Sequence, residues 1–347
     1  MLGLALACLS AVVSACAGDP CRPTPPPEQP GGAPAHYAQT PGPPSGPLVI
    51  MGDTQRTSVI ECAVLGREVN EREPQMLVRS LVHAAPSALI VVGDLVFRGA
   101  SEPDWQHFDR LMKPVRDAGI PVLAAAGNHE WRGRDRPALD ALGQRFPSLR
   151  ERTWYLARQT DLGLVFLDSN ADALGPAAWA EQREWLTRTL AALEADASVR
   201  GVLVFAHHPP YTRSVVVSGD AAVRETVVAA AASSPKVMAI FSGHAHGYER
   251  YVVDGLHLVV SAGGGGPRPS RLRGTPRPPG PQDLVSLPAP RPLHYMIVAR
   301  AREGLRVRVM GLQRGDAAVA EVDFFTIPWA SGPLGPEDPA EKPGGDR

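Results

Sequence analysis

KVMAIFSGHAH, residues 236–246, starts as an apolar run and ends in a small-residue turn with two histidines two positions apart. A short run of this kind, bounded by turn residues, reads as a buried strand. Side chains alternate along an extended backbone, so this reading sets both imidazoles, His244 and His246, on one side of the strand's end. Taken alone, such a pair is more often a solvated loop end than a metal site. What decides is whether other runs end in the same way.

Five do: LVIMGD (48–53), ALIVVGD (88–94), IPVLAAAGNHE (120–130), LGLVFLDS (162–169) and GVLVFAHHPP (201–210). Each is short, β-branched or leucine-rich, and stops at turn residues, as buried strands do. Amphipathic helical patterns fill the gaps at about 73–84, 103–117, 177–194 and 220–232. Beyond His246 the pattern becomes strand–turn–strand (YERYVVDG, LHLVVSAGG, HYMIVARA, LRVRVMG, AEVDFFTI). Strand–helix alternation followed by consecutive strands gives an α/β class whose sheets are completed by C-terminal hairpins.

Composition supports a folded chain. The 347 residues are 44% hydrophobic and 20% charged, enough to bury a sizeable core. A net charge of −1 supplies no global field for nucleic acid or an anionic membrane. The N-terminal MLGLALACLSAVVSAC is too short to span a bilayer and ends in small residues, as an export signal does. Val13-Ser14-Ala15-Cys16 resembles a bacterial lipobox, although no Lys or Arg precedes it. The organisation expected is a lipoprotein-type signal at 1–16, a Pro/Gly-rich linker at 17–47, one catalytic domain at 48–328 and a disordered tail at 329–347. The protein is then expected in the cell envelope, anchored through a lipid on Cys16 in the periplasm or outer membrane, or else outside the cell. Cys21 and Cys62 either pair in that oxidising compartment or remain free thiols.

The ends of the apolar runs carry the chemistry. They present Asp53, Asp94, Asn128 with His129, His207 with His208, and His244 with His246. Ligand sites of α/β sheets lie outside the carboxyl ends of the strands. Any one of these ends is an ordinary turn; all of them together make a metal cage. Carboxylate, amide and imidazole donors without a thiolate suit Mn, Fe or Zn. The donors are too many for one tetrahedral ion, which favours two divalent ions sharing a carboxylate.

The ordered blocks MGDTQ, VGDLVF, AGNHE, FAHHPP and SGHAH resemble the calcineurin-like metallophosphoesterase superfamily. GHAHGYER, SAGGGG and AAWAEQREWLTRTL make the chain most similar to the purple acid phosphatase branch. The resemblance implies a four-layer sandwich of two mixed β-sheets flanked by helices. It implies Asp53, Asp94 and His246 at a first metal, Asp94 as bridge, and Asn128, His207 and His244 at a second. His129, beside the ligands, is implied to face the substrate phosphate and assist the leaving group, with Glu130 orienting it or capping the next element. The implied reaction is phosphoester hydrolysis by in-line attack of a hydroxide bridging the ions.

The pattern departs from the family twice. Gln55 stands where much of the superfamily has a ligand His, and Phe97 where purple acid phosphatases have a ligand Tyr. Gln55 is a possible weak ligand through its carbonyl, and His208 either touches substrate or packs. Arg132, Arg134, Arg136, Arg268, Arg271, Arg273 and Arg277 either grip an anionic substrate or are exposed loop charges. No aromatic residues interleave them, so nucleic acid is not an expected partner. The substrate expected is a small-molecule or peripheral phosphomonoester; a phosphodiester, or a catalytically weak binding module of the envelope, are the alternatives. Sequence leaves the oligomeric state open.

Overall fold

A computed structural model describes residues 34–41, 46–133, 135–268, 282–287, 290–330 and 332. Cys16, Cys21, Arg134, Arg271, Arg273, Arg277 and nearly all of the tail lie outside them, and the side chain of Arg136 is likewise undescribed. In chain order the first strands are β1 (Leu48–Met51), β2 (Ala88–Val91), β3 (Val122–Ala124), β4 (Tyr155–Gln159), β5 (Leu162–Phe166) and β6 (Gly201–Phe205). There follow β7 (Val237–Ser242), β8 (Tyr248–Val253), β9 (Leu256–Ser261), β10 (Gln282–Ser286), β11 (Leu293–Arg300), β12 (Gly304–Leu312) and β13 (Ala320–Pro328).

They form two mixed sheets flanked by helices. One runs β13-β12-β11-β1-β2-β3, the other β10-β8-β9-β7-β6-β5-β4. In the first, the parallel set β1-β2-β3 at one edge is extended by the antiparallel C-terminal strands; in the second, the parallel set β5-β6-β7-β9 is flanked by antiparallel β4 on one side and β8 and β10 on the other. Period-two alternation explains the layering. Val49, Met51, Leu89 and Val91 face the helices Arg72–His83 and Glu102–Leu111, while Leu48, Ile50, Ala88 and Ile90 face the second sheet. Strands covered on both faces need apolar residues at every position, and β1, β2, β5 and β6 are buried throughout. Between the sheets, Tyr155, Phe166, Phe205 and Phe241 stack across adjacent strands with centroids 4.5, 4.8 and 5.7 Å apart. On the far face Leu186, Leu190 and Leu193 of the helix Ala171–Ala195 pack against Val165, Val202 and Val204.

The elements differ from expectation at their ends. Helix 103–117 is two helices meeting at Met112, because Pro114 cannot donate within a continuing helix. The helix at 177–194 begins earlier, at Ala171, with a kink at Gly175 ahead of Pro176. The run at 120–130 is strand only over β3 and then turns away. Among the described residues, no helix is long and apolar enough to cross a membrane.

Candidate metal centre

The parallel strands β1, β2, β3, β6 and β7 end on one side of the molecule, and the loops that follow bring the sequence-selected residues together. Asp53 and Asp94 follow β1 and β2 in one sheet; His207, His244 and His246 follow β6 and β7 in the other. Two clusters of donor atoms result, each within 4.8 Å: Asp94, His207 and His244, and Asp53, Asp94 and His246. Asp94 belongs to both. Its Oδ1 lies 3.2 Å from His207 Nε2, while its Oδ2 accepts from Gln55 Nε2 at 3.1 Å on the opposite side. Asn128 completes the first cluster, with Oδ1 3.2 Å from His207 Nε2.

The ring orientations are fixed from behind. His207 Nδ1 lies 2.9 Å from the Val92 carbonyl and His246 Nδ1 2.6 Å from the Pro267 carbonyl. A carbonyl only accepts, so both Nδ1 atoms carry the hydrogen and both Nε2 atoms turn lone pairs inward. His207 Nε2 therefore faces two oxygen acceptors, Asp94 Oδ1 and Asn128 Oδ1. Converging lone pairs repel unless a cation or a proton lies between them. Burial pulls His207 down, but the Asp94 and Asp53 carboxylates outweigh it and raise its pKa to about 10. That is the pull a bound cation would answer. Gln55 Oε1 is buried without a hydrogen-bond partner while its Nε2 sits 3.1 Å from His246 Nε2. These residues fit two divalent cations: Asp53, Asp94 and His246, with the Gln55 amide beside them, at one position; Asp94, Asn128, His207 and His244 at the other. The donor set suits Mn, Fe or Zn.

The backbone is bent to achieve this. Asp53, Asp94, His244 and His246 all have positive φ, of 58, 53, 69 and 44°. His244 and His246 thus do not project alike from an extended strand, because β7 ends at Ser242. Two left-handed residues aim them apart, one into each cluster, and the His244 amide donates to both oxygens of Asp53 at 2.9 and 3.0 Å. Close approach demands the adjoining glycines. A Cβ on Gly93 would lie 2.5 Å from His207 Nδ1, and one on Gly127 2.3 Å from Asp94 Oδ1.

His129 stands at the edge of both clusters. Its amide donates to Asp94 Oδ1 at 3.0 Å and its Nε2 is 3.7 Å from Asp94 Oδ2. The Phe97 carbonyl, 2.7 Å from Nδ1, orients the ring, and the Phe97 ring packs edge-on against it with centroids 5.4 Å apart. Burial lowers the His129 pKa, with Asp94 opposing. The side chain of Arg132 lies over Phe97 and places Nη1 3.1 Å from His129 Nδ1. His208 packs against the His244 ring, centroids 4.5 Å apart, with its Nδ1 2.8 Å from Ser169 Oγ. Arg268 is not a loop charge. It is buried in an ion pair with Glu68 and donates to the Arg291 carbonyl and to Gln313 Oε1.

Glu130 neither orients His129 nor caps a helix. Fully buried, it accepts from the amides of Asp94, Leu95 and Val96 and from that of Gly127, tying the Asp94 loop to the Asn128 loop. Burial, reinforced by Asp94, raises its pKa to about 7 against the pull of those amides. Each buried N–H left without an acceptor costs about 1–3 kcal/mol. Glu130→Ala is therefore expected to lose on the order of 5 kcal/mol of stability. Thermal unfolding of metal-depleted protein measures this; an unchanged midpoint would show that the knot is not structural.

A cavity of about 230 Å³ opens over the centre, walled by Asp94, Asn128, His129, Arg132, His244 and His246. A larger cleft at the other end of β6 and β7 has its charges already paired: Asp161 with Arg300, and Lys236 with the carbonyls of Leu193, Glu194 and Asp196.

Comparison with known proteins agrees with this geometry. The profile of the calcineurin-like phosphoesterase family matches residues 46–248. Purple acid phosphatase 22 of Arabidopsis thaliana is 22% identical over 265 residues, 68% of this chain and 57% of that protein. The chain thus spans little more than half the length of this relative. The structure of a purple acid phosphatase from yellow lupin seeds superposes with a TM-score of 0.60 at 19% identity, covering 83% of this chain and 55% of that one. A dimetal phosphatase from Danio rerio gives 0.55 at 15% identity, covering 82% and 99%. The Plasmodium inner-membrane-complex anchor GAP50 gives 0.60 at 12% identity, covering 82% and 89%.

Proposed function

The chain belongs to the calcineurin-like phosphoesterase family, and from that premise we propose that it is a two-metal phosphoester hydrolase acting on phosphomonoesters. The observation that carries the reading is the division of Asp94, one oxygen facing each donor cluster. Two bound cations would supply Lewis acidity toward the phosphate and toward an attacking water.

The chain's own groups do the rest. Asp53, Asp94, Asn128, His207, His244 and His246 would hold the cations. His129 faces the ester oxygen. Its Nδ1 hydrogen is fixed on the Phe97 carbonyl, so the proton it delivers to the leaving group comes from Nε2. A buried ring with a lowered pKa releases that proton readily, and an incoming dianion favours its uptake beforehand. Arg132, on the cavity wall, is placed to take a phosphate oxygen. Phe97 offers no phenolate to a metal, which leaves the position nearest Gln55 suited to a divalent ion.

The similarity to purple acid phosphatases and the small cavity support a monoester over a diester. The test is metal content by mass spectrometry together with turnover of nitrophenyl phosphate and of its bis-ester, after loading with Mn, Fe or Zn. Two metals per chain and a monoester preference of roughly tenfold or more, about 1.4 kcal/mol, are expected. Preference for the bis-ester would make it a phosphodiesterase. One metal or none with no turnover would leave a binding module.

A further inference from the structure

The helix Val59–Leu65 buries none of its side chains. Its sequence, VIECAVL, is nevertheless apolar, with Ile60, Val64 and Leu65 exposed by 69, 72 and 60%. What holds it is local. Ser58 and Glu61 form a capping box, Gly66 closes the end in a left-handed conformation, Arg67 pairs with Glu61 at 2.7 Å, and Cys62 is disulfide-bonded. A helix stabilised by its caps could carry polar residues on every face; this one keeps apolar residues in solvent.

Its position gives them a use. Glu61 and Arg67 line the cavity over the metal centre. Val64 and Leu65, three and four residues beyond Glu61, share its helical face. The same cavity is also lined by Ser214, Val216 and Val217, with Val215 and Val216 exposed by 41 and 56%. That wall is preformed. Ser214 Oγ accepts from the amides of Val216 and Val217, and the buried Glu249 accepts from Thr212 Oγ1 and the Arg213 amide. Two apolar ledges therefore border a polar cavity large enough for a phosphate.

Building on the phosphomonoesterase reading, we propose that the substrate is amphiphilic: an alkyl or lipid phosphomonoester whose chain lies across Val64, Leu65 and Val216 while its phosphate reaches the metal centre. Val216 lines the catalytic cavity, and Val64 and Leu65 stand one helical turn beyond its lining residue Glu61, which sets an occupant of both ledges within reach of the metal centre. A polar substrate of similar size would leave both ledges wet and gain nothing from them.

The whole chain, metal-loaded, is assayed against methyl, butyl, hexyl and octyl phosphate below their micellar concentrations. The expected result is a rise in kcat/KM of about twofold per added methylene, half the effect of full burial. A Val64→Ser, Leu65→Ser double variant is expected to flatten that rise. The readout is the octyl-to-methyl ratio within one protein, so a general loss of activity cancels. These positions are exposed, and folding should survive the change. Equal turnover of all chain lengths would overturn the inference and leave the phosphatase reading intact. Failure to hydrolyse any of them, nitrophenyl phosphate included, would overturn that reading itself. A chain-length effect seen only with aggregated substrate, with the protein sedimenting on phosphatidylcholine vesicles, would make the ledges a membrane-docking surface and refute the substrate claim.

Discussion

Asp94→Ala should abolish turnover and bring the metal content from two per chain to one or none. No other side chain stands in both donor clusters, with one oxygen toward His207 and the other toward Gln55. Removing it would take the one shared anionic donor from both positions. Lewis-acid stabilisation of a phosphoryl transition state is worth several kcal/mol, so the loss should reach roughly 10³-fold or more. The fold should survive: the loops remain tied by Glu130, whose bonds to the Asp94, Leu95, Val96 and Gly127 amides do not need the Asp94 side chain. Circular dichroism and thermal unfolding, run beside metal counting, separate a lost centre from a lost fold. Retention of two metals and wild-type turnover would refute the shared carboxylate.

His129→Ala should behave in the opposite way, keeping both metals while losing rate. Its ring is not in either donor cluster, and only its amide touches Asp94 closely. The loss should depend on the leaving group. Nitrophenolate departs without help, so nitrophenyl phosphate should slow by no more than about tenfold; an alkoxide needs a proton, and an alkyl phosphate should slow by about 10²–10⁴-fold. Equal losses on both substrates would mean that the ring positions the phosphate and does not protonate the leaving oxygen. The sign of the pH dependence follows from burial, which lowers the His129 pKa. The protonated form is favoured on the acid side, so alkyl phosphate turnover in the wild type should fall as pH rises, and that limb should vanish in the variant.

Much of this was legible before any coordinates, because two physical rules operate on short stretches. Parallel strands buried on both faces must be apolar throughout, and ligands gather where such strands end; LVIMGD and ALIVVGD announce both facts at once. The α/β class and the meeting of Asp53, Asp94, Asn128, His207, His244 and His246 follow from that; the two-sheet sandwich was implied by the family resemblance. Other features escaped for physical reasons. The edge strand Tyr155–Gln159 alternates between half-buried or buried and exposed positions and carries a weak apolar signal. The helix Val59–Leu65 has no buried stripe to detect, although Ser58, Glu61 and Gly66 spell its caps. The role of Glu130 depends on donors 34–36 residues away as well as on Gly127, and no local pattern encodes such a partner. Extended geometry would aim His244 and His246 alike; the left-handed backbone that sends them to different clusters leaves no mark in the local pattern.

The left-handed backbone at Asp53, Asp94, His244 and His246 has a consequence for any attempt to evolve this protein. Non-glycine residues pay about 1–2 kcal/mol to sit there, and at Asp53 and Asp94 the carboxylates return part of it by accepting from the His244 and His129 amides. A screen that rewards heat resistance alone would find glycine more readily at His244 than at Asp53 or Asp94, whose carboxylates satisfy the buried amides of His244 and His129. The winners of such a screen would be hardier but short of a metal donor, a loss that selection for heat resistance alone would never register.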